Sequence, residues 1–165
     1  MIELDRKSLL VNASGDVTVG ALEDAVGAAG LTLDLGEVPR DTTVKALVEG
    51  GFRGARSPWG DPADHLVAGL TAREVACTME RLLIVKPIPR RATGPDLFSL
   101  VVGMRGRLYA VMSAWLRVHH REARDGEMVA VRPRPLPFVV SEPVLSADEE
   151  ELWERIAAAL HAPSA

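Results

Sequence analysis

An apolar run from Leu108 to Val118 constrains the fold more than any other feature of this sequence. It is much shorter than the roughly 20 apolar residues that a membrane helix requires, so it does not predict a membrane span. Its length favours a buried strand. A chain of 165 residues is long enough to enclose such a strand in one sizeable core, with a small appendage at most.

Four other stretches have the pattern of helices. Thr18 is the predicted N-cap of the first, because apolar residues follow it at helical spacing. Shorter helices are expected at Thr43 to Glu49 and at Asp96 to Met104. The last helix opens with a capping box formed by Ser146 and Glu149. Its apolar stripe consists of Leu152, Trp153, Ile156 and Leu160.

Strand-like runs lie between these helices, and this order predicts the α+β class. The two runs from His65 to Thr71 and from Glu74 to Thr78 are expected to be separate strands joined by a tight turn. Three prolines between Glu127 and Val140 should keep part of that segment at a sheet edge. The remaining predicted strands are Ser8 to Asn12, Leu31 to Leu35 and Arg81 to Lys86.

Composition excludes several classes of function. The net charge is −4 and aromatic residues make up 4% of the chain, which argues against nucleic-acid binding. A single cysteine, Cys77, permits neither an internal disulfide nor a zinc site made of cysteines. The acidic residues near Met1 do not resemble a secretory signal, so a cytoplasmic protein is expected.

Two glycine-containing segments carry a more specific signal. The first reads TVKALVEGGFRGARSPWGD from Thr43 to Asp61, and the second reads RRATGPDLFSLVVGMRGRL from Arg90 to Leu108. Their order and spacing resemble the vanillyl-alcohol oxidase and p-cresol methylhydroxylase flavoprotein family. The nearest branch includes glycolate oxidase subunits, D-lactate dehydrogenases and alkyl-dihydroxyacetone-phosphate synthases. The resemblance covers Ile2 to His119 and depends on the order of the segments, since no single motif is specific.

This resemblance implies a particular architecture. Family members bind FAD between two α+β subdomains, and residues 1–134 correspond to the second, a mixed and mainly antiparallel sheet with flanking helices. Residues 135–165 would be a C-terminal extension that ends in the amphipathic helix. The positions that match the family's cofactor-binding segments are Thr43, Val44, Lys45, Gly50, Gly51, Gly54, Trp59, Gly60, Gly94, Asp96, Gly103 and Gly106.

Several departures from the family pattern bear on function. The chain begins after the place of the glycine-rich pyrophosphate loop and lacks nearly all of the substrate domain, so no catalytic residue and no metal ligand is expected. Lys45-Ala46 replaces a pair of glycines, Met104 replaces a serine, and Tyr109 replaces a glycine beside the flavin. Lys45 would either fill space that the cofactor needs or pair with a phosphate. Trp59 would be either a wall beside the flavin or a local packing residue.

Two functions follow from these observations. The first is a non-catalytic interaction or regulatory subunit, a pseudoenzyme whose half-cradle face is covered by a protein partner or by a second copy of the chain. The alternative is the FAD-binding subunit of a split oxidoreductase that acts on a 2-hydroxy acid or a similar alcohol. FAD is the only cofactor that the resemblance implies, and neither nucleic acid nor a membrane is an expected partner.

Overall fold

The computed structural model describes residues 1–57, 65–75, 81–87, 96–124, 127–130, 138–139 and 147–161. Within them the helices are α1 (Val19–Gly27), α2 (Val44–Glu49), α3 (Ala147–His161) and a 3-10 helix at Leu97–Leu100. The strands are β1 (Ile2–Asp5), β2 (Leu10–Ser14), β3 (Leu31–Thr32), β4 (Arg56–Ser57), β5 (Val67–Glu74), β6 (Leu82–Val85), β7 (Tyr109–Arg117), β8 (His119–Arg124), β9 (Glu127–Ala130) and β10 (Phe138–Val139).

A five-stranded antiparallel sheet forms the centre of the molecule, in the order β1-β2-β7-β5-β6. Strand β7 occupies the middle position, which confirms that the apolar run from Leu108 to Val118 contains a strand; Val111, Ala114 and Leu116 are buried, whereas Met112 is exposed. After Val118 the chain continues into β8, which lies between β3 and β9 in a second sheet. Strands β4 and β10 form a separate pair. The α+β class with a mainly antiparallel sheet is therefore confirmed.

The core lies on one face of the central sheet. Alternate residues of the strands point to this face, because side chains along a strand alternate between the two sides. Helices α1 and α2 cover it with the apolar residues that follow their N-caps. The largest fully buried side chains include Val11, Leu22, Leu31, Val44, Phe52, Leu70 and Leu116.

Two threonines begin the helices as the sequence predicts. The Thr18 hydroxyl accepts a hydrogen bond from the N–H of Ala21 at 3.2 Å, at the start of α1. The Thr43 hydroxyl accepts one from the N–H of Ala46 at 3.1 Å, at the start of α2. Each cap satisfies one of the N–H groups that a helix leaves unpaired at its first turn.

The prediction of two separate strands between His65 and Thr78 is wrong for the described residues. A single strand, β5, runs from Val67 to Glu74 and pairs with β7 along its length. A β-bulge beside Thr71 and Ala72 absorbs the local irregularity, so the strand bends without ending. Cys77 lies outside the described residues.

The predicted strand from Leu31 to Leu35 is also shorter than expected. Only Leu31 and Thr32 pair with β8, and Asp34 adopts a left-handed conformation at φ 54°. The reason is the carboxylate of Glu23 on α1, whose Oε1 accepts from the backbone N–H of Leu33 at 3.0 Å. This N–H therefore bonds to a side chain, and the segment follows α1 instead of extending the sheet.

Other boundaries differ in smaller ways. The first predicted strand is shifted and ends at Ser14, and the helix expected at Asp96 to Met104 is reduced to the 3-10 helix. Gly103 has a φ of 77°, which stops helical continuation there. Helix α3 is observed, while Ser146 and the predicted boundary between 134 and 135 lie outside the described residues. None of the described helices is both long and apolar enough to cross a membrane.

Candidate functional site

The two glycine segments meet at the end of α2. Gly51 and Gly103 have φ angles of 69° and 77°, which favour glycine. A Cβ atom added to Gly51 would lie 3.2 Å from the Cα of Gly103, so the two backbones are in direct contact. The N–H of Gly103 donates to the carbonyl of Val48 at 3.2 Å and fixes this approach. The structure thus brings Gly51 of the first glycine segment against Gly103 of the second.

Glu49 joins these segments to the central sheet. Its side chain is buried, with a residual exposure of 8%, and its Oε1 accepts from the N–H of Val111 at 2.8 Å. Its backbone carbonyl accepts from the N–H of Arg105 at 2.8 Å. Gly106 leaves room for the carboxylate, since a Cβ there would lie 2.9 Å from Oε2. Glu49 therefore organises the loop from Gly103 to Gly106.

The remaining predicted residues on α2 have structural roles. Thr43 caps the helix, Val44 is fully buried, and Gly50 ends the helix with its N–H on the carbonyl of Ala46 at 2.9 Å. Lys45 lies on the exposed side of α2, and its backbone N–H donates to the carbonyl of Gly15 at 2.9 Å. The position where the resemblance implies a glycine thus carries an exposed lysine side chain.

Gly54 differs from the other described glycines of the predicted set. Its φ is 75°, and a Cβ added there would meet no heavy atom within 4 Å, so this position faces open space. Asp96 caps the 3-10 helix by accepting from the N–H of Phe98 at 3.1 Å, outside the contact between the two glycine segments. Three predicted residues lie outside the described part of the chain: Trp59, Gly60 and Gly94.

A groove of about 350 Å³ lies where the end of β5 and the starts of β6 and β7 meet. It is mostly apolar, with a carboxylate, a guanidinium group and a phenol among its lining groups. None of the nine predicted residues that the structure describes contributes to it. Its lining residues are Glu74, Arg81, Leu82, Leu83, Leu100, Leu108 and Tyr109.

The two other departures from the family pattern are both accommodated internally. Met104, within the second glycine segment, is buried, and Tyr109 is half-buried and lines the groove. No group of three or more His, Cys, Asp or Glu side chains that could hold a metal ion occurs among the described residues.

Sequence reasoning missed Glu49 and the groove. Glu49 follows the apolar residues of α2 and precedes two glycines, a position that reads as a solvated helix end. The only signal available was Gly106, whose missing side chain makes room for the carboxylate. The groove combines residues from four distant parts of the chain and has no local signature.

The described glycines do not fit the cofactor cradle that the resemblance implies. Glycines in such a cradle keep space open for close approach of the ligand to the backbone. Here Gly51 contacts Gly103, and Gly106 contacts Glu49, so both positions are filled by the protein itself. Of the described glycines in the predicted set, Gly54 alone has open surroundings.

Comparisons with known proteins support the fold. No protein-family model matches the chain, and no curated protein matches its sequence. Solved structures of alkyldihydroxyacetonephosphate synthase in two crystal forms match 72% of this chain, each with a TM-score of 0.55 and with 19% and 16% identity. The match spans only 20% and 21% of the synthase chains. This chain therefore has the α+β fold of about one fifth of that enzyme, which belongs to the branch that the glycine segments resemble.

Proposed function

We propose that this chain is an FAD-binding-oxidase-like domain that acts as a non-catalytic interaction or regulatory subunit. The observation that carries the proposal is the closure of the two glycine segments on each other. Gly51 lies against Gly103, and the buried carboxylate of Glu49 fills the space beside Gly106.

The backbone donors of these segments support the same conclusion. A site for the phosphates of FAD needs free N–H groups that point toward the ligand. The N–H groups of Gly51 and Gly103 both donate to the carbonyl of Val48, at 3.0 and 3.2 Å. The N–H of Arg105 donates to the carbonyl of Glu49. These donors are already satisfied within the protein, so FAD would have to compete with internal hydrogen bonds.

The visible absorption spectrum of the purified protein tests this proposal. We expect a colourless protein after gel filtration and no saturable change in flavin fluorescence on titration with FAD. A flavin band that co-elutes with the protein would overturn the proposal.

A double variant, Lys45→Gly with Ala46→Gly, separates two causes of weak binding. If the closed loops prevent binding, the variant should remain colourless, because the contacts of Gly51 and Gly106 are unchanged. If FAD binds to this variant and not to wild type, the side chains of Lys45 and Ala46 would be the obstacle and the loop-closure argument would be wrong.

A second function is favoured by the open position at Gly54. A left-handed glycine with no neighbour within 4 Å leaves the backbone accessible to a ligand at that point of the loop. On this alternative, the chain is the FAD-binding subunit of a split oxidoreductase acting on a 2-hydroxy acid or a similar alcohol. Flavin that is retained only after co-expression with a neighbouring gene product would support the alternative over the first proposal.

A further inference from the structure

The strand β6 lies at an edge of the five-stranded sheet, with β5 on one side and no other described strand on the other. Its side chains alternate between the two faces. Leu82 and Ile84 lie on the face away from the core and are 49% and 57% exposed. Leu83 and Val85 lie on the core face and are partly buried. All four residues are apolar, whereas edge strands of monomeric proteins usually carry charges, prolines or bulges that discourage pairing.

Alternate residues of β6 direct their backbone N–H and C=O groups away from β5, where a second strand could bind them. The N–H of Glu74 donates to the carbonyl of Arg81 at 3.0 Å, so this pair is hydrogen-bonded between β5 and the start of β6. Hydrogen-bonded pairs alternate along antiparallel strands. Leu83 and Val85 therefore direct their backbone groups toward β5, while Leu82 and Ile84 direct theirs outward.

We propose that a second copy of this chain pairs with β6 in the antiparallel direction, about a two-fold axis at Leu83. In this register Leu82 lies opposite Ile84 of the partner subunit, and Ile84 lies opposite the partner's Leu82. Both pairs use the outward-directed backbone groups, which gives four hydrogen bonds between the strands. The two central sheets become one sheet across the interface, and the contact is self-complementary, as a two-fold interface requires.

The groove beside β6 supports a second copy as the occupant. In the same register, Val85 of the partner subunit lies opposite Arg81 and on the core face of the sheet. This is the face on which Leu83 lines the mostly apolar groove. One register therefore satisfies the outward backbone groups of two residues and brings an apolar side chain to the mouth of the groove. A strand of unrelated sequence would satisfy the backbone but has no such match in its side chains.

The expected dimer is weak and depends on concentration. The paired strands are only four residues long, so the contact lies toward the small end of protein interfaces. The proposal is independent of flavin binding, because none of the residues of β6 belongs to the two glycine segments.

Sedimentation velocity on the full chain tests the interface. We expect the sedimentation coefficient to rise as the concentration increases from about 10 µM to about 1 mM, the range in which weak dimers form. Ile84→Lys should hold the protein in the monomeric form over this range. Met112→Lys introduces the same charge at an exposed apolar position on the central strand and should dimerise as wild type does. A wild-type monomer at every concentration, or a dimer that survives Ile84→Lys, would disprove the interface.

Cross-linking tests the register. The proposed axis brings the two Leu83 residues together as a non-hydrogen-bonded pair, with Cα atoms about 4.5 Å apart and within reach of a disulfide. In a Cys77→Ser background, oxidation should therefore cross-link Leu83→Cys efficiently and Val85→Cys poorly. The reverse ranking would exclude the proposed register. Circular dichroism and thermal unfolding of each variant confirm that it is folded.

Discussion

The carboxylate of Glu49 and the backbone N–H of Val111 are joined by a 2.8 Å hydrogen bond across 62 residues of sequence. The pairing of β5 with β7 shifts register between Thr71, which pairs with Ser113, and Ala72, which pairs with Val111. The hydrogen bond to Val111 therefore lies at this shift. A side chain from α2 thus serves as acceptor for a strand N–H at the bulge. This single contact fixes the end of α2 to the middle strand of the sheet.

Removal of this acceptor should destabilise the fold. Glu49→Ala leaves the buried N–H of Val111 without a partner, which should lower the free energy of unfolding by roughly 1–3 kcal/mol. Glu49→Gln keeps an acceptor oxygen and should lose less. Denaturant unfolding of both variants measures the difference, and Glu151→Ala on the exposed side of α3 is the control. Equal losses for the Ala and Gln variants would mean that the hydrogen bond is not the cause.

Two glycines with nearly identical backbone angles allow packing to be separated from backbone strain. Gly106 and Gly54 have φ angles of 70° and 75°, but only a Cβ at Gly106 would overlap Glu49. Gly54→Ala should therefore cost only the strain of a left-handed residue, about 1–2 kcal/mol. Gly106→Ala should cost at least about 1 kcal/mol more, because the carboxylate has to move. Similar melting temperatures for the two variants would argue against close packing at Gly106.

The stability of the fold should depend on the protonation of Glu23. Burial raises the pKa of this carboxyl above its ordinary value of 4.5, and hydrogen bonds from Leu33 and Thr32 offset the shift only in part. At a pH between 4.5 and the raised pKa of the folded state, the folded chain binds more protons than the unfolded chain. The contribution of Glu23 to stability is therefore complete below pH 4.5 and is lost as the pH rises through the folded pKa.

Glu23→Gln tests this pH dependence, because the amide does not titrate. The free energy of unfolding of wild type minus that of Glu23→Gln should decrease as the pH rises from about 4 to about 7. Glu151→Gln serves as the control for removal of one surface carboxylate. A difference that stays constant or increases with pH would show that the hydrogen bonds outweigh burial.

The ion pair between Arg107 and Glu150 links α3 to the loop before β7. Both side chains are partly exposed, so the pair should contribute at most about 1 kcal/mol to global stability. Glu150→Gln should nevertheless increase amide hydrogen exchange in α3 and leave the central sheet unchanged. The neighbouring variant Glu151→Gln should have no such effect. Unchanged exchange in Glu150→Gln would show that other contacts hold the helix.

The elements predicted correctly are those whose cause is local. Thr18 and Thr43 cap helices through their own hydroxyl groups, and the run from Leu108 to Val118 has the length and apolar content of a strand that packs against the core. The contact between Gly51 and Gly103 joins residues that are far apart in sequence, so periodicity does not predict it.

The errors occur where distant residues decide the outcome. Leu33 leaves the strand pattern because Glu23 on α1 binds its N–H, and β5 continues past Thr71 because β7 absorbs a bulge beside it. The exposed Leu82 and Ile84 on β6 were not predicted either, because the exposure of an edge strand depends on which strands pair beside it.

The pairing of β2 with β7 joins residues 10–14 to residues 113–117. During synthesis, β2 therefore emerges from the ribosome long before its central neighbour exists. The edge of β2 that pairs with β7 stays open until synthesis has reached Arg117, and a two-stranded hairpin of β1 and β2 is marginal by itself. Completion of the sheet is thus a late event in the life of the nascent chain, and the growing polypeptide is open to wrong pairing until β7 arrives.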